Sequence, residues 1–230
     1  MFFFFHLVTG MILGFLIGDL LHDRRWVIPC TIGAVLPDLI DKPLGHIIFA
    51  GSIGYGRIYG HTLLFFLVLL VIGLIVWKLR KTPIILALSV GVFTHSILDL
   101  MWLLRENWFY PFMGPFRGEL AADYFLTLFT GELGNPAEIF LAIVLSLCLI
   151  LYIVSRRPGN SSVKYYRLLK GILGIGAVVL LIISGIFIGL ALVKKDLKIM
   201  GWHRPEELLI VGIVMVLASL LLWRWHAKRG

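Results

Sequence analysis

Residues 83–104 read PIILALSVGVFTHSILDLMWLL. The run is apolar and long enough to cross a bilayer, which takes about 20 helical residues, yet it contains His95 and Asp99. Polar or ionised groups at membrane depth are costly unless something pairs with them, so they mark functional positions by default. The i, i+4 spacing puts imidazole and carboxylate on one helix face, where both can grip the same ion. A purely structural hydrogen-bonded pair between helices is the plainer alternative.

The rest of the chain agrees with a membrane setting. Of its 230 residues 60% are hydrophobic and 15% charged, against about a quarter charged in ordinary soluble domains. The spacing of apolar runs predicts an all-α protein, a polytopic transmembrane helical bundle of six to seven spans with one short interfacial helix. The longest stretch between strong spans, residues 105–135, is too short for a separate soluble domain. The net charge of +8 does not point to nucleic acid, because the basic residues sit in short loops beside apolar runs, where topology determinants belong. Cys30 and Cys148 fall within apolar runs and read as buried core thiols. The N-terminal run MFFFFHLVTGMILGFLIGDLL lacks a basic leader region and a small-residue cleavage site, and reads as a retained first helix.

Spans are expected over 62–77, 83–104, 137–154, 171–193 and 207–223, with 2–21 as a further one. Residues 26–39 contain Pro29 and Pro37 and suggest a short tilted or re-entrant helix. Residues 45–60 (GHIIFAGSIGYGRIYG) hold five glycines and read as irregular backbone, tolerated at membrane depth only where it lines a cavity or is buried in protein. Residues 119–130 are expected as the interfacial helix, and 155–170 as a polar, basic linker. The chain divides into a metal-site half, 1–136, and three C-terminal spans, 137–230. With seven crossings and the N-terminus outside, thirteen of the 21 Lys and Arg fall in inner loops, a moderate positive-inside bias that leaves the C-terminus cytoplasmic. The KKDLK stretch from Lys194 opposes it.

That topology brings scattered polar residues to one side. His6, the Asp38/Asp41 pair and His61 fall near the outer ends of their segments, and Asp99 about 8 Å deep at 1.5 Å per residue. His95 lies one turn deeper. Two imidazoles with two or three carboxylates suit Zn²⁺, Mn²⁺ or Fe²⁺. Each residue also has a plainer role: His61 as an interfacial residue at a helix start, His6 as a donor to a carbonyl, Asp38 as a turn or cap residue. Asp41 precedes Lys42-Pro43 and can equally be a turn carboxylate or half of a local ion pair. His46 is placed as a group behind the ligands, while His22, His203 and His226 lie beside loop charges and read as solvated.

The ordered set of His6, LPDLIDKP from Leu36, RIYGHT from Arg57 and THSILD from Thr94 resembles the membrane-bound, predicted metal-dependent hydrolases of the DUF457 or YdjM-like group. That group is distantly similar to the zinc-dependent phospholipase C and P1 nuclease superfamily. The likeness covers about the first half of the chain, and WFYPF from Trp108 matches the segment that follows the last motif. It implies His6, Asp38, His61, His95 and Asp99 as metal ligands, Asp41 as ligand or catalytic general base, and one or two divalent ions, zinc foremost. It implies an integral protein of a prokaryotic inner membrane. The group commonly has His-Arg-Gly before the third motif, where this chain has Gly56-Arg57-Ile58, and the downstream His and Glu ligands of the three-zinc phospholipases have no match after Asp99.

The chemistry implied is hydrolysis of a lipid or lipid-linked (phospho)ester at the outer face, with Arg57, Arg105 or Arg117 as substrate-binding clamps on an anion. Snorkelling at the interface is the alternative for each arginine. A metal-ion or proton transporter would use the same residue types, but the polar positions do not continue through the inner half and no pair of broken repeats is evident. A non-catalytic membrane protein with a structural metal site is the third reading.

Overall fold

Gly10, Gly14 and Gly18 recur every fourth residue and leave one side of the first helix bare. The computed structural model describes residues 3–49, 51–116, 143, 163–193 and 204–228, and no strand occurs among them. The chain forms two compact units, Met1–Ile139 and Phe140–Gly230.

In the first unit α1 (Phe3–Leu20) leads through a 3₁₀ turn to α2 (Val27–Gly33) and α3 (Leu36–Pro43), then through a π-helical turn (Leu44–Ile48) and a loop to α4 (Leu63–Arg80) and α5 (Ile84–Leu98). A further 3₁₀ turn (Met101–Leu103) and the short α6 (Arg105–Trp108) follow. Helix α2 packs against both α1 and α5, and the small residues explain how. A Cβ on Gly14 would lie 2.8 Å from Val27 Cα, while Cβ atoms on Gly33 and Gly91 would run into the Leu88 and Cys30 carbonyls. Close backbone approach of this kind supplies dispersion contacts where lipid leaves no hydrophobic drive between helices. Trp26, Cys30, Leu86 and Ala87 form the buried cluster beside that crossing, so Cys30 is the core thiol its neighbours suggested. Helix α4 touches α5 at Gly73, whose Cβ would sit 2.8 Å from Leu86 Cα, but only 6% of its apolar span is buried. It faces lipid.

The expected 26–39 segment is a broken helix. The Arg25 guanidinium donates to the Lys81 carbonyl at 3.3 Å, so the turns after α1 and after α4 share one end of the unit. His61 stands at the other end of α4, which is 18 residues long, about 27 Å at 1.5 Å per residue. Asp38 reaches His61, so α2 and α3 run the length of the unit rather than turning back. The break falls at Ala34–Val35, ahead of Pro37 in the first turn of α3, a position where proline's missing N–H costs nothing.

The span expected over 83–104 is shorter than its apolar run. Helix α5 ends at Leu98 with Asp99 as its C-terminal cap, because Leu100 takes a left-handed conformation (φ 52°) that turns the chain into the 3₁₀ segment. His95 therefore lies in the last helical turn and Asp99 at the helix end.

The second unit contains α7 (Val163–Leu192) and α8 (Pro205–Lys228), packed on each other. Ser219 Oγ donates to the Ala177 carbonyl at 2.8 Å. Helix α7 takes in the second half of the 155–170 stretch expected as a linker, because no helix breaker stands between Val163 and Lys170. Among the described residues four helices are long and apolar enough to cross a membrane, Phe3–Leu20, Leu63–Arg80, Gly171–Leu192 and Pro205–Arg224, with α5 shorter. The expected 119–130 helix and, except for Ile143, the 137–154 span lie outside the described residues.

Candidate metal centre

Four helix ends deliver the polar residues to one place. His6 comes from the first turn of α1, Asp38 and Asp41 from successive turns of α3, and His95 and Asp99 from the end of α5. His61 is held by the start of α4, where Thr62 caps the helix and its Oγ1 accepts from Phe65 N at 3.1 Å. Gly60 lets that loop close onto α3: a Cβ there would sit 3.1 Å from Pro37 Cα and 3.2 Å from Asp41 Oδ1. All of these residues are buried, with Asp41, His61 and His95 at 0% exposure.

Two overlapping groups of ligand atoms result. His6, His95 and Asp99 form one, Asp38, His61 and His95 the other, the atoms in each lying within 4.8 Å of one another. His6 Nε2 lies 2.9 Å from Asp99 Oδ1. Asp99 Oδ2 stands 3.5 Å from His61 Nε2 and 3.6 Å from His95 Nε2, and Asp38 Oδ1 lies 3.6 and 3.9 Å from the same two nitrogens. The five residues expected as ligands are thus brought together, although they span more than ninety positions of the chain.

The far sides of two rings fix what the near sides can do. His61 Nδ1 lies 2.7 Å from Asp41 Oδ2, and His95 Nδ1 2.8 Å from the Ala34 carbonyl. Carboxylate and carbonyl only accept, so each Nδ1 carries the proton, an assignment inferred from the acceptors. Both Nε2 atoms then point bare lone pairs at each other across 3.0 Å. Two lone pairs do not attract at that distance. A cation must stand between or beside them, either a proton or a metal ion. Histidine ligands to metals characteristically donate their other N–H to a carboxylate or backbone carbonyl in this way.

Asp41 does not have the freedom expected of a ligand or catalytic base. Its Oδ1 accepts from Gly60 N at 2.8 Å, and its Oδ2 from Ile58 N at 2.8 Å, His61 N at 3.1 Å and His61 Nδ1. The carboxylate is saturated by the glycine-rich loop and orients His61. Nor is Asp41 the partner of Lys42, whose Nζ pairs with Asp38 Oδ2 at 3.0 Å.

Of the three arginines expected to bind substrate, Arg57 reaches the site: its Nε lies 3.0 Å from Asp99 Oδ2. Burial disfavours its charge, but Asp99 and Tyr55 together outweigh burial and hold the guanidinium more firmly protonated than usual. Asn107 Nδ2 fixes the Arg57 carbonyl at 3.1 Å. Arg105 is exposed on α6, and Arg117 lies outside the described residues. His46 packs on Gly56, whose Cβ would meet its Nε2 at 2.6 Å, away from the ligand groups. Burial and then the Lys42 charge press its pKa below the ordinary value.

Sequence reasoning missed two participants. Lys42 is one helical turn after Asp38 and was legible from that spacing. The Ala34 carbonyl carries no side-chain signal at all.

Residues 1–159 match the family described as YdjM inner membrane protein. The chain belongs to that family. All of the candidate ligands fall within the YdjM match, and with the apolar helices they make this an integral membrane protein. No curated protein and no solved structure matches the chain. The likeness to zinc-dependent phospholipase C is not shown by the YdjM match, which names no activity.

Proposed function

We propose that this YdjM-family protein is a membrane-embedded, metal-dependent hydrolase that cleaves a lipid or lipid-linked ester at the outer face of the inner membrane. The observation that carries the reading is the pair of imidazoles fixed from behind by Asp41 and Ala34, their bare nitrogens converging with Asp38 and Asp99. The donor set of imidazole and carboxylate suits Zn²⁺, with Mn²⁺ or Fe²⁺ as alternatives. His95 belongs to both ligand groups, which accommodates one ion or a pair.

A bound divalent ion supplies Lewis acidity, activating water and neutralising charge that develops on a substrate oxygen. The chain's own residues do the rest. Asp41 and the Ala34 carbonyl keep two rings in one tautomer and one orientation. Arg57 faces Asp99 from a partly open position, its side chain 30% exposed, and can reach an anionic group that approaches from outside.

Orientation and lipid access follow from what lies at each end. Arg24, Arg25, Lys78, Arg80 and Lys81 gather at the end of the first unit remote from the ligands, which the positive-inside rule assigns to the cytoplasm. The ligand end then faces outward. Beside Arg57, Tyr110 stacks on Phe116 at 4.0 Å and both meet Tyr59, while Phe112 is 82% exposed and Met113 50%. Such aromatic, apolar rims sit at the headgroup level of bilayers, where an ester of a lipid would present itself.

The test is turnover. Purified protein loaded with Zn²⁺ or Mn²⁺ is offered a panel of phospholipids and lipid-linked esters, with His95→Ala as control. Metal-dependent release of product that His95→Ala lacks supports the reading. Stoichiometric metal with no turnover on the panel would favour a structural site that staples helix ends.

A further inference from the structure

Asn107 sits on α6, 2% exposed, and donates from Nδ2 to the Arg57 carbonyl oxygen at 3.1 Å. Only the nitrogen of an amide side chain can donate to a carbonyl, so the partner settles which way this one points. The Arg57 carbonyl is one end of a peptide group whose other end is the Ile58 N–H, and that group is planar and trans. Carbonyl and N–H therefore point in opposite directions. The Ile58 N–H donates to Asp41 Oδ2 at 2.8 Å, and the same oxygen lies 2.7 Å from His61 Nδ1. One peptide thus joins α6 on one side to Asp41 and the His61 ring on the other.

Backbone preference alone would not hold this peptide. Glycine at 54, 56 and 60 gives the loop more torsional freedom than residues with side chains allow. Turning the Arg57–Ile58 peptide over would carry the Ile58 N–H away from Asp41. Asn107 opposes that turn, because the carbonyl would give up this donor in a buried place, beside an Ile58 that is 0% exposed, and a buried polar group left unsatisfied is costly. A carbonyl that accepts a hydrogen bond also polarises its own peptide and strengthens the bond made by the N–H. The effect runs from Asn107 through the peptide to Asp41, and from Asp41 to the imidazole whose Nε2 faces the ligand group. Asn107 follows Asp99 by a 3₁₀ turn and the start of α6. The stretch that leads away from one ligand therefore reaches back to set the ring of another.

We propose that Asn107 is a positioning residue of the metal centre: by holding the Arg57 carbonyl it aims the Ile58 N–H at Asp41, and through Asp41 it orients His61. The inference rests on the metal-centre reading above. It gives a residue that touches no ligand atom a share in metal affinity.

The experiment uses the full chain in detergent micelles and two variants that part donation from packing. Asn107→Leu keeps the branched shape and deletes the donor. Asn107→Gln keeps the donor on a longer stem. Each is melted, titrated with Zn²⁺ after stripping, and followed by amide hydrogen exchange over residues 57–61 in the metal-free state. Asn107→Leu should bind Zn²⁺ about tenfold more weakly, the lower end for loss of an outer contact, and its 57–61 amides should exchange several-fold faster. Asn107→Gln should recover most of both. A leucine variant with wild-type affinity and exchange overturns the proposal, as does a lower melting temperature with those two readouts unchanged, which would make Asn107 a packing residue. A glutamine variant no better than leucine overturns it too. If neither variant folds, exchange in wild type decides: the Ile58 amide should be as protected as those inside α5, and ready exchange overturns the relay. Wild type that binds no Zn²⁺ defeats the metal-centre reading, and the exchange data then decide whether Asn107 orients the peptide.

Discussion

Replacing Asp41 by asparagine separates an orienting carboxylate from a catalytic one. The side chain is wholly buried and accepts four hydrogen bonds, one at Oδ1 from Gly60 N and three at Oδ2 from Ile58 N, His61 N and His61 Nδ1. An amide has one oxygen. Its better placement puts that oxygen at the Oδ2 position, where it still accepts from three donors, and sets its NH₂ against the Gly60 N–H. One bond becomes a donor–donor contact in a buried place, and the other three lose the charge that strengthened them. Hydrogen bonds to charged groups contribute about 1.5–3 kcal/mol each and an unsatisfied buried donor costs about 1–3 kcal/mol, so a destabilisation of about 3–5 kcal/mol is expected, the range for breaking a buried charged pair. The His61 tautomer survives, but the ring is held less firmly, and loss of such outer contacts typically lowers metal affinity about 10–100-fold. Thermal melting in detergent, followed by competitive Zn²⁺ titration, measures both quantities. A variant that melts and binds Zn²⁺ as wild type does, yet has lost turnover, would refute the reasoning and return Asp41 to the role of general base.

Other expectations follow from single contacts. Gly60→Ala must push either Pro37 or Asp41 aside by a few tenths of an ångström, and a cost of about 1–3 kcal/mol from overpacking should appear as a lower melting temperature together with weaker Zn²⁺ binding; an unchanged melt would show that the loop yields. Gly33→Ala drives a methyl into the Leu88 carbonyl and should sharply reduce the yield of folded protein, whereas Gly189→Ala, with nothing within 4 Å of its Cβ, should stabilise α7 by about 0.5–1 kcal/mol. Equal behaviour of the two in a melting assay would remove the argument for backbone contact at the α2–α5 crossing. Ser219→Ala deletes the hydroxyl that reaches Ala177 and should cost only about 0.6 kcal/mol, the average for hydrogen bonds between membrane helices; a loss of several kcal/mol would mean that hydroxyl supports more than one contact.

Much of the site was legible because membrane burial makes polar residues conspicuous. His6, His61, His95 and Asp99 stand out against phenylalanine, leucine and isoleucine, and the alternation of basic and polar ends along successive segments was enough to bring them to one side. The small residues of the α1–α2–α5 crossing went unread although Gly10 and Gly14 stand four residues apart, and their partners, Val27 and the Cys30 carbonyl, carry no side-chain signal. What stayed hidden was decided by backbone. The role of Asp41 depends on three amide N–H groups supplied by a loop up to 20 residues later, and that of His95 on a carbonyl exposed by the break between α2 and α3. The length of α5 was misjudged for a similar reason. Leucine and methionine continue the apolar run beyond Asp99, and nothing in their side chains announces that Leu100 turns left-handed.

The central claim is that these residues hold a metal ion, and metal content tests it most directly. Wild type and His95→Ala, purified in parallel without chelator, are analysed for zinc, manganese and iron, then titrated with Zn²⁺ after stripping. Because His95 belongs to both ligand groups, the account predicts about one or two ions per wild-type chain and almost none in a folded His95→Ala protein. Wild type that takes up no divalent ion, or a variant that retains the wild-type content, would contradict it.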